Sequence, residues 1–327
     1  MKLIARKFAL AKAVKVEGPA NEKSTLGLVM QKHPELKSKI KELMDAIAKE
    51  VLLINKMSLQ EQKDELEKLE PELLNIKPEK FHAGELKPLD NAVIGKVVTR
   101  MAPSPSGPLH IGHAYVTTLN YEYAKKYNGK FILRLEDTNS DNIYPAAYDL
   151  IPENANWLCD NGVSNIIIQS NRLDLYYQKA LELLEKGFLY VDTDSAEKTR
   201  DNISKGIAPP NRELPPDEQI KLWRKMFDGF QEGEAVLRFK TDINHKNPAM
   251  RDFPIFRIND SEHPRVGKKY RVWPLMNFSV AIDDIDMGVT HAIRGKDHAD
   301  NATRQEYIHK ALGADSPHTI FLGRINY

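Results

Sequence analysis

Apolar positions change their period several times along the chain, and each change marks an element. Leu36, Ile40, Leu43, Ile47, Val51 and Ile54 recur at threes and fours, which places them on one helix face. Ser58-Leu-Gln-Glu61 has the spacing of a capping box and predicts the start of another helix, with Leu59, Leu66 and Leu69 available for packing. Residues 1–76 therefore read as a small N-terminal helical domain. Lys2, Arg6, Lys7, Lys12 and Lys15 superficially look like a mitochondrial presequence or a membrane-surface helix, but there is no Arg/Ser bias and helical patterning resumes after Glu22-Lys23. An ordinary basic helix is the preferred reading. Residues 77–91 contain Pro78, Gly84 and Pro88, have no periodicity and read as a linker.

Beyond the linker, strand-like and helix-like runs alternate. Residues 93–101 are rich in β-branched side chains and predict a buried strand, which Pro103, Pro105, Gly107 and Pro108 forbid from continuing. Ala114, Leu119, Tyr121 and Ala124 predict a helix from about Leu109 to a left-handed cap at Asn128-Gly129. Strands are expected at 130–135 and 165–169 and helices at 145–159 and from Leu173 to Gly187, followed by a strand at 188–191. The alternation predicts an α/β fold, a Rossmann-like doubly wound parallel sheet over 92–193, with ligands at the carboxyl ends of its strands. Residues 194–252 break the alternation, with a capped helix at Asp194-Ser-Ala-Glu197, two Pro-Pro steps and a helix over 217–230, so they read as an inserted domain. The sheet is expected to resume near Val272, with a strand over 289–294, a helix from Asp297 and a strand over 318–322, making 253–327 the second half of the same domain.

Composition narrows this picture. The 327 residues are enough for two or more domains, and a net charge of +1 requires any nucleic-acid surface to be a local patch balanced by acid elsewhere. The single cysteine, Cys159, excludes an internal disulfide and any multi-cysteine zinc site, and following Trp157-Leu158 it reads as core. No apolar run approaches the roughly 20 residues of a membrane span. No membrane association is expected, and a cytoplasmic location fits the cysteine usage.

The chemistry concentrates in one loop, Arg100-Met-Ala-Pro-Ser-Pro-Ser-Gly-Pro-Leu-His-Ile-Gly-His-Ala114. A helix that opens there aims free backbone N–H groups and the positive end of its dipole at the ligand position above the strand, which favours an anion. His110 and His113 are three apart and share a face, and Gly112 lets a flat base approach the backbone, a combination suited to ATP. A Pro-rich turn carrying two surface histidines is the alternative. It is not a Walker loop, because His113-Ala114 stand where Lys and Ser/Thr are needed, and His-Glu-x-x-His is absent. Glu136-Asp137 closes the second predicted strand, where a carboxylate pair can hold an amino group or a metal, or cap the next helix. Trp273 alone reads as core, and salt bridging to Asp283, Asp284 or Asp286 is the structural alternative for Arg294.

The run Pro-Ser-Pro-Ser-Gly-Pro-Leu-His-Ile-Gly-His resembles the first nucleotide-binding motif of class I aminoacyl-tRNA synthetases, and more narrowly their glutamyl and glutaminyl branch. Leu133-Arg-Leu-Glu-Asp-Thr-Asn139 and the stretch from Trp273 to His298 agree with it, extending the match over roughly residues 93–327. The run Arg294-Gly-Lys-Asp-His298 resembles glutamyl rather than glutaminyl enzymes, and an appended helical domain resembles the archaeal and eukaryotic versions. The resemblance implies a ligase that joins glutamate to tRNA with ATP and magnesium and no protein-bound zinc. It implies ATP contacts by Pro103, Ser104, Gly107, His110, Gly112 and His113, with the two histidines catalytic. It further implies glutamate contacts by Arg100, Ser104, Glu136, Trp273, Asn277 and Arg294, with Glu136 on the ammonium and Arg294 on the side-chain carboxylate. The insertion would bind the tRNA acceptor end. The helical domain would tether a partner protein, contact tRNA or merely stabilise its neighbour. The family's lysine-bearing second motif and anticodon-binding domain are expected beyond Tyr327, so the chain reads as an N-terminal fragment.

Overall fold

In the computed structural model of the chain, residues 1–74 and 86–323 are described, and the chain divides into two compact units, Met1–Lys87 and Pro88–Tyr327. Most of the predicted linker, residues 77–85, lies outside the described residues.

The first unit is helical: α1 Lys2–Val16, α2 Glu22–Lys32, α3 Ile40–Ile54 and α4 Leu59–Leu69. Leu43, Ile47, Val51 and Ile54 of the predicted stripe are buried, whereas Ile40 at the helix start is exposed. The stripe does not run through one helix, because Pro34 opens a separate 3-10 segment, Pro34–Lys39, ahead of α3. The capping box forms: Glu61 N–H donates to Ser58 Oγ at 3.3 Å and Ser58 N–H to Glu61 Oε2 at 2.7 Å. Arg6 on α1 pairs with Glu50 at 2.7 Å and also with Glu65, clamping α1 to α3 and α4.

The second unit begins with β1 Val98–Met101, α5 Ile111–Lys126, β2 Lys130–Leu135, α6 Ala147–Leu158, β3 Asn165–Ile168 and α7 Leu173–Glu185. The three strands are parallel in the order β1-β2-β3. β1 is shorter than the pattern predicts, because Val93 and Ile94 are exposed in a turn. The turn after α5 is taken by Asn128 in the left-handed region (φ 50°), while Gly129 is needed for space: a Cβ there would stand 2.0 Å from the Val97 carbonyl oxygen.

The chain then departs from the expected course. β4 Leu189–Asp192 does not join the parallel sheet; it pairs antiparallel with β5 Val236–Phe239, which pairs with β6 Pro254–Ile258 and that with β7 Val272–Pro274. α8 Ala196–Lys205 and α9 Pro216–Asp228 lie between β4 and β5. The antiparallel sheet thus draws in residues on both sides of the 194–252 segment, and the strand at Val272 belongs to it. An isolated apolar run gives no sign of which sheet it will join, since both environments bury it equally.

The parallel sheet returns with β8 His291–Gly295 and β9 His318–Leu322, separated by α11 Ala299–Ala311 and preceded by α10 Met276–Asp286. Thr290 N–H donates to the Val98 carbonyl at 2.9 Å and Val98 N–H to Thr290 Oγ1 at 2.9 Å, which sets the start of β8 beside the start of β1. β8 and β9 form a two-stranded parallel sheet of their own, set beside β1 in the spatial order β3-β2-β1-β8-β9; the direction of travel reverses between β1 and β8, and that reversal opens a crevice at the strands' carboxyl ends.

Candidate active site

A cavity of about 320 Å³ occupies that crevice, lined from β1 and its loop by Arg100, Pro103 and Ser104, from α5 by His113, from the end of β2 by Glu136, and from the far side by Arg294, His298 and Gln305. A second cavity of about 340 Å³ shares Ser104, Glu136 and Met276 with it and continues towards Asn139 and Arg257.

The loop folds as a rigid entry to α5. Pro103 is buried and its carbonyl accepts from Glu136 N–H at 2.9 Å, so the loop is tied to the end of β2. His110 is the N-cap of α5 in extended backbone, and its Nδ1 accepts from Gly112 N–H at 3.1 Å. His113 Nδ1 accepts from His110 N–H at 3.4 Å, and the two imidazoles stack with centroids 3.8 Å apart. An imidazole nitrogen that accepts carries no proton, so both rings hold theirs on Nε2 and keep that N–H free to donate. Burial, and then the neighbouring His110, lower the pKa of His113, which favours this neutral form. Gly107 meets no steric demand: nothing lies within 4 Å of where a Cβ would stand.

Behind the cavity runs a buried ionic network that the sequence did not disclose. Asp284 on α10 accepts from Arg100 Nε and Nη2 and from Arg134 Nη1. Arg134 also reaches Glu136 at 3.2 Å, and Arg172 holds Asp283 at 2.8 Å and Asp286. Burial acts to raise the pKa of Asp284, but Arg100 and Arg134 outweigh it and hold the carboxyl well below the usual range. For Glu136 burial prevails over Arg134 and Arg100 and pushes the carboxyl up. The Glu136-Asp137 pair divides its labour: Asp137 is buried and accepts at 2.7 Å each from Tyr148 Oη and from the N–H of Ser170, in the turn Gln169–Asn171. Only Glu136 lines the cavities.

Arg294 makes no ion pair among the described residues. The three aspartates that might have held it are engaged by Arg100, Arg134 and Arg172. Its Nη1 donates to Gln305 Oε1 at 2.8 Å, and its Nε is buried without a partner. Burial, then repulsion by Arg100, lower its pKa to about 10, which still leaves it cationic at neutral pH. A guanidinium in this state calls for an anion from outside the chain.

Five residues expected at the site do not line either cavity: Gly107, His110 and Gly112 lie further along the loop and the start of α5, and Trp273 and Asn277 lie behind the wall. Trp273 is 1% exposed, stacked on His263 at 5.0 Å in the core beside the antiparallel sheet, because β7 pairs with β6 and turns that side chain inward. Asn277 is buried and reaches the cavity only through Gln305. Arg100, Ser104, Glu136, His113 and Arg294 are brought together as wall residues. Gln305 and His298 were not singled out; the first sits in a helix without a clear apolar face, where a glutamine reads as solvated.

Parallel strands with a crevice at their switch point, a helix that starts at its edge and an arginine without an ion pair among the described residues are the features of a doubly wound α/β domain. Residues 96–327 match the model of the family "tRNA synthetases class I (E and Q), catalytic domain", and the chain belongs to that family. It is 48% identical over 330 residues to a glutamate-tRNA ligase of Pyrococcus abyssi, covering 99% of this chain and 57% of the relative. A glutamate-tRNA ligase of Methanocaldococcus jannaschii is 47% identical over 316 residues, with 97% and 56% covered. The chain therefore spans a little over half the length of these curated relatives. Among solved structures, a glutamate tRNA ligase from Elizabethkingia meningosepticum in complex with its amino acid superposes with a TM-score of 0.55 at 25% identity, covering 70% of this chain and 50% of that one. No helix among the described residues is long and apolar enough to cross a membrane.

Proposed function

We propose that the chain carries the activating site of a glutamate-tRNA ligase acting in protein synthesis. The glutamate α-carboxylate attacks the α-phosphorus of ATP, the α–β anhydride bond breaks and pyrophosphate leaves. The terminal ribose hydroxyl of tRNA then attacks the carbonyl of the glutamyl-adenylate and AMP leaves. The observation that carries this reading is Arg294: a cavity-lining guanidinium with no carboxylate of its own, whose fork of donors matches a substrate carboxylate.

The remaining roles fall to the cavity wall and to the loop and helix start beside it. Nε2–H of His110 and His113 donates to phosphate oxygens at the start of α5, with Pro103, Ser104, Gly107 and Gly112 shaping the nucleotide side. Glu136 accepts from the substrate ammonium, and Arg100 and Ser104 border the amino-acid side. Trp273 and Asn277 act from behind the wall. Magnesium arrives on the ATP phosphates as part of the substrate. Phosphoryl chemistry of this kind asks the protein mainly for position and charge. The inserted segment 194–252, with Arg200, Lys205, Arg212, Lys221, Arg224 and Lys225, is assigned to the tRNA acceptor end, although Arg212 is engaged by Asp252 at 2.7 Å. A cytoplasmic location and a docking role for the helical unit towards a partner protein complete the proposal.

The test is the thermal shift of this chain with non-hydrolysable glutamyl-adenylate and glutaminyl-adenylate analogues. Ligand at 100 times its dissociation constant stabilises by roughly 2.7 kcal/mol. A shift with the glutamyl analogue alone is expected; a glutaminyl preference, or no shift with either, overturns the reading.

A further inference from the structure

Gln305 on α11 is 2% exposed and stands in the wall of the cavity that holds Arg294. Its two amide ends have different neighbours. Arg294 Nη1 donates to Oε1 at 2.8 Å, and Nε2 donates to Asn277 Oδ1 on α10 at 3.3 Å. A guanidinium only donates, so the amide oxygen must face Arg294 and the amide nitrogen must face Asn277. The result is a relay from α10 through α11 to β8 that fixes the guanidinium from behind.

The chemistry of the anchor matters as much as its position. A neutral amide oxygen orients an arginine without cancelling its charge, whereas a carboxylate in the same place would occupy the fork and neutralise it. Every nearby aspartate is already spent on another arginine: Asp284 on Arg100 and Arg134, Asp283 and Asp286 on Arg172. Among the described residues Arg294 thus has no carboxylate within ion-pair distance, Glu136 and Asp284 acting on it only from further off, and Gln305 is its hydrogen-bonded partner.

We propose that Gln305 sets the charge preference of the side-chain pocket: it aims Arg294 while leaving its charge unanswered, so the pocket selects a carboxylate over a carboxamide. The inference rests on the glutamate reading above and deepens it. Gln305 acts through Arg294 and is a positioning residue. Gln305→Glu keeps size and shape but supplies an internal counter-ion, so a substrate carboxylate meets an arginine already paired. Gln305→Met removes the anchor and leaves the charge.

Calorimetry of this chain with glutamyl and glutaminyl sulfamoyl-adenosine, beside the melting temperature of each unliganded variant, tests the idea. The parent chain is expected to prefer the glutamyl compound. Gln305→Glu is expected to lower the ratio of the two affinities by about 10²-fold or more, a change that a purely structural role would not produce. Gln305→Met is expected to weaken both compounds by a similar factor, under about tenfold, and to keep the preference. A Gln305→Glu chain that melts normally and still prefers the glutamyl compound overturns the proposal and leaves the glutamate reading standing. Loss of preference in Gln305→Met equal to that in Gln305→Glu also overturns it, because orientation rather than charge would then be the cause, and this variant decides the matter if Gln305→Glu fails to fold. Absence of preference in the parent chain overturns the glutamate reading and this proposal with it.

Discussion

Asp284 on α10 accepts from both Nε and Nη2 of Arg100 on β1, each at 3.1 Å, across 184 positions of sequence. Arg134 on β2 adds a third bond to the same carboxylate at 2.7 Å. All three side chains are nearly or fully buried, so the carboxylate ties α10 to two strands directly beneath the cavity. Removing it leaves the buried Arg100 without its carboxylate and Arg134 with only the longer contacts to Glu136 and Asp283, a loss worth about 3–5 kcal/mol. Asp284→Ala is therefore expected to lower unfolding free energy by that amount in urea denaturation. A change under about 1 kcal/mol would mean that the network is solvated rather than buried.

Two sets of groups give stability a stepped pH dependence. His113 and His309 have folded pKa values lowered by burial, so the unfolded chain takes up their protons first and stability falls as pH drops below about 6.5. Burial holds His309 neutral against the bond its Nε2–H donates to the Ala281 carbonyl at 3.2 Å, which acts to raise the pKa, while its Nδ1 accepts from Ser316 Oγ. Asp284 has a depressed folded pKa; its contribution is intact above the ordinary carboxylate value of about 3.9 and is lost as pH falls below it. Denaturation at a series of pH values should show a first decline between pH 7 and 5.5 and a second below about pH 4. His309→Gln should flatten the first. Constant stability across the first window would refute the histidine assignment.

Much of this site was legible in local chemistry. The strand at 130–135, the helix start after Pro108 and the helix stop at Gly187 follow from residue types that allow few backbones, and Gly187 indeed takes φ 77°. What escaped was pairing. Leu189–Asp192 reads as another strand of the parallel sheet because its own four residues, all buried, carry no record of the partner that β5 supplies from 44 to 50 residues downstream (Asp192 pairs Val236 and Leu189 pairs Phe239). Trp273 was drawn to the cavity by motif position, whereas its strand turns it into the core. Gln305 was invisible because only the folded position of Arg294 gives it a task.

Two glycines of the first βα unit separate space from chemistry. Gly129→Ala would put a methyl group 2.0 Å from a main-chain oxygen that already accepts from Lys130 N–H, and backbone cannot yield there cheaply. A loss of about 2–4 kcal/mol, or failure to fold, is expected. Gly107→Ala meets open space and should leave the melting temperature unchanged. Any loss of ATP affinity in Gly107→Ala then reports on the ligand side of the loop, and its absence would remove Gly107 from the nucleotide contacts. Calorimetric melting of the two variants side by side, with ATP titration of the second, checks both.

The stacked pair at the start of α5 gives the most direct test of chemistry. His110 and His113 each use Nδ1 to accept a backbone N–H, which directs both Nε2–H donors away from the helix. Donors fixed before the charge develops need no reorganisation, and losing one typically costs about 10²–10³ in rate. His113→Ala should lower glutamate-dependent ATP–pyrophosphate exchange by that factor. Its effect on the fold should be small, because His113 is only partly buried and the bond it accepts, at 3.4 Å, is the longer of the two. Protonation of Nδ1 would break that bond and turn the ring, and burial lowers the folded pKa of His113, so exchange in the parent enzyme should also fall with pH, setting in below the free imidazole value of about 6.5, while His113→Ala should lose this dependence. Near-normal exchange by a normally folded His113→Ala chain would remove the histidine from the reaction and return the motif to a Pro-rich turn with two surface imidazoles.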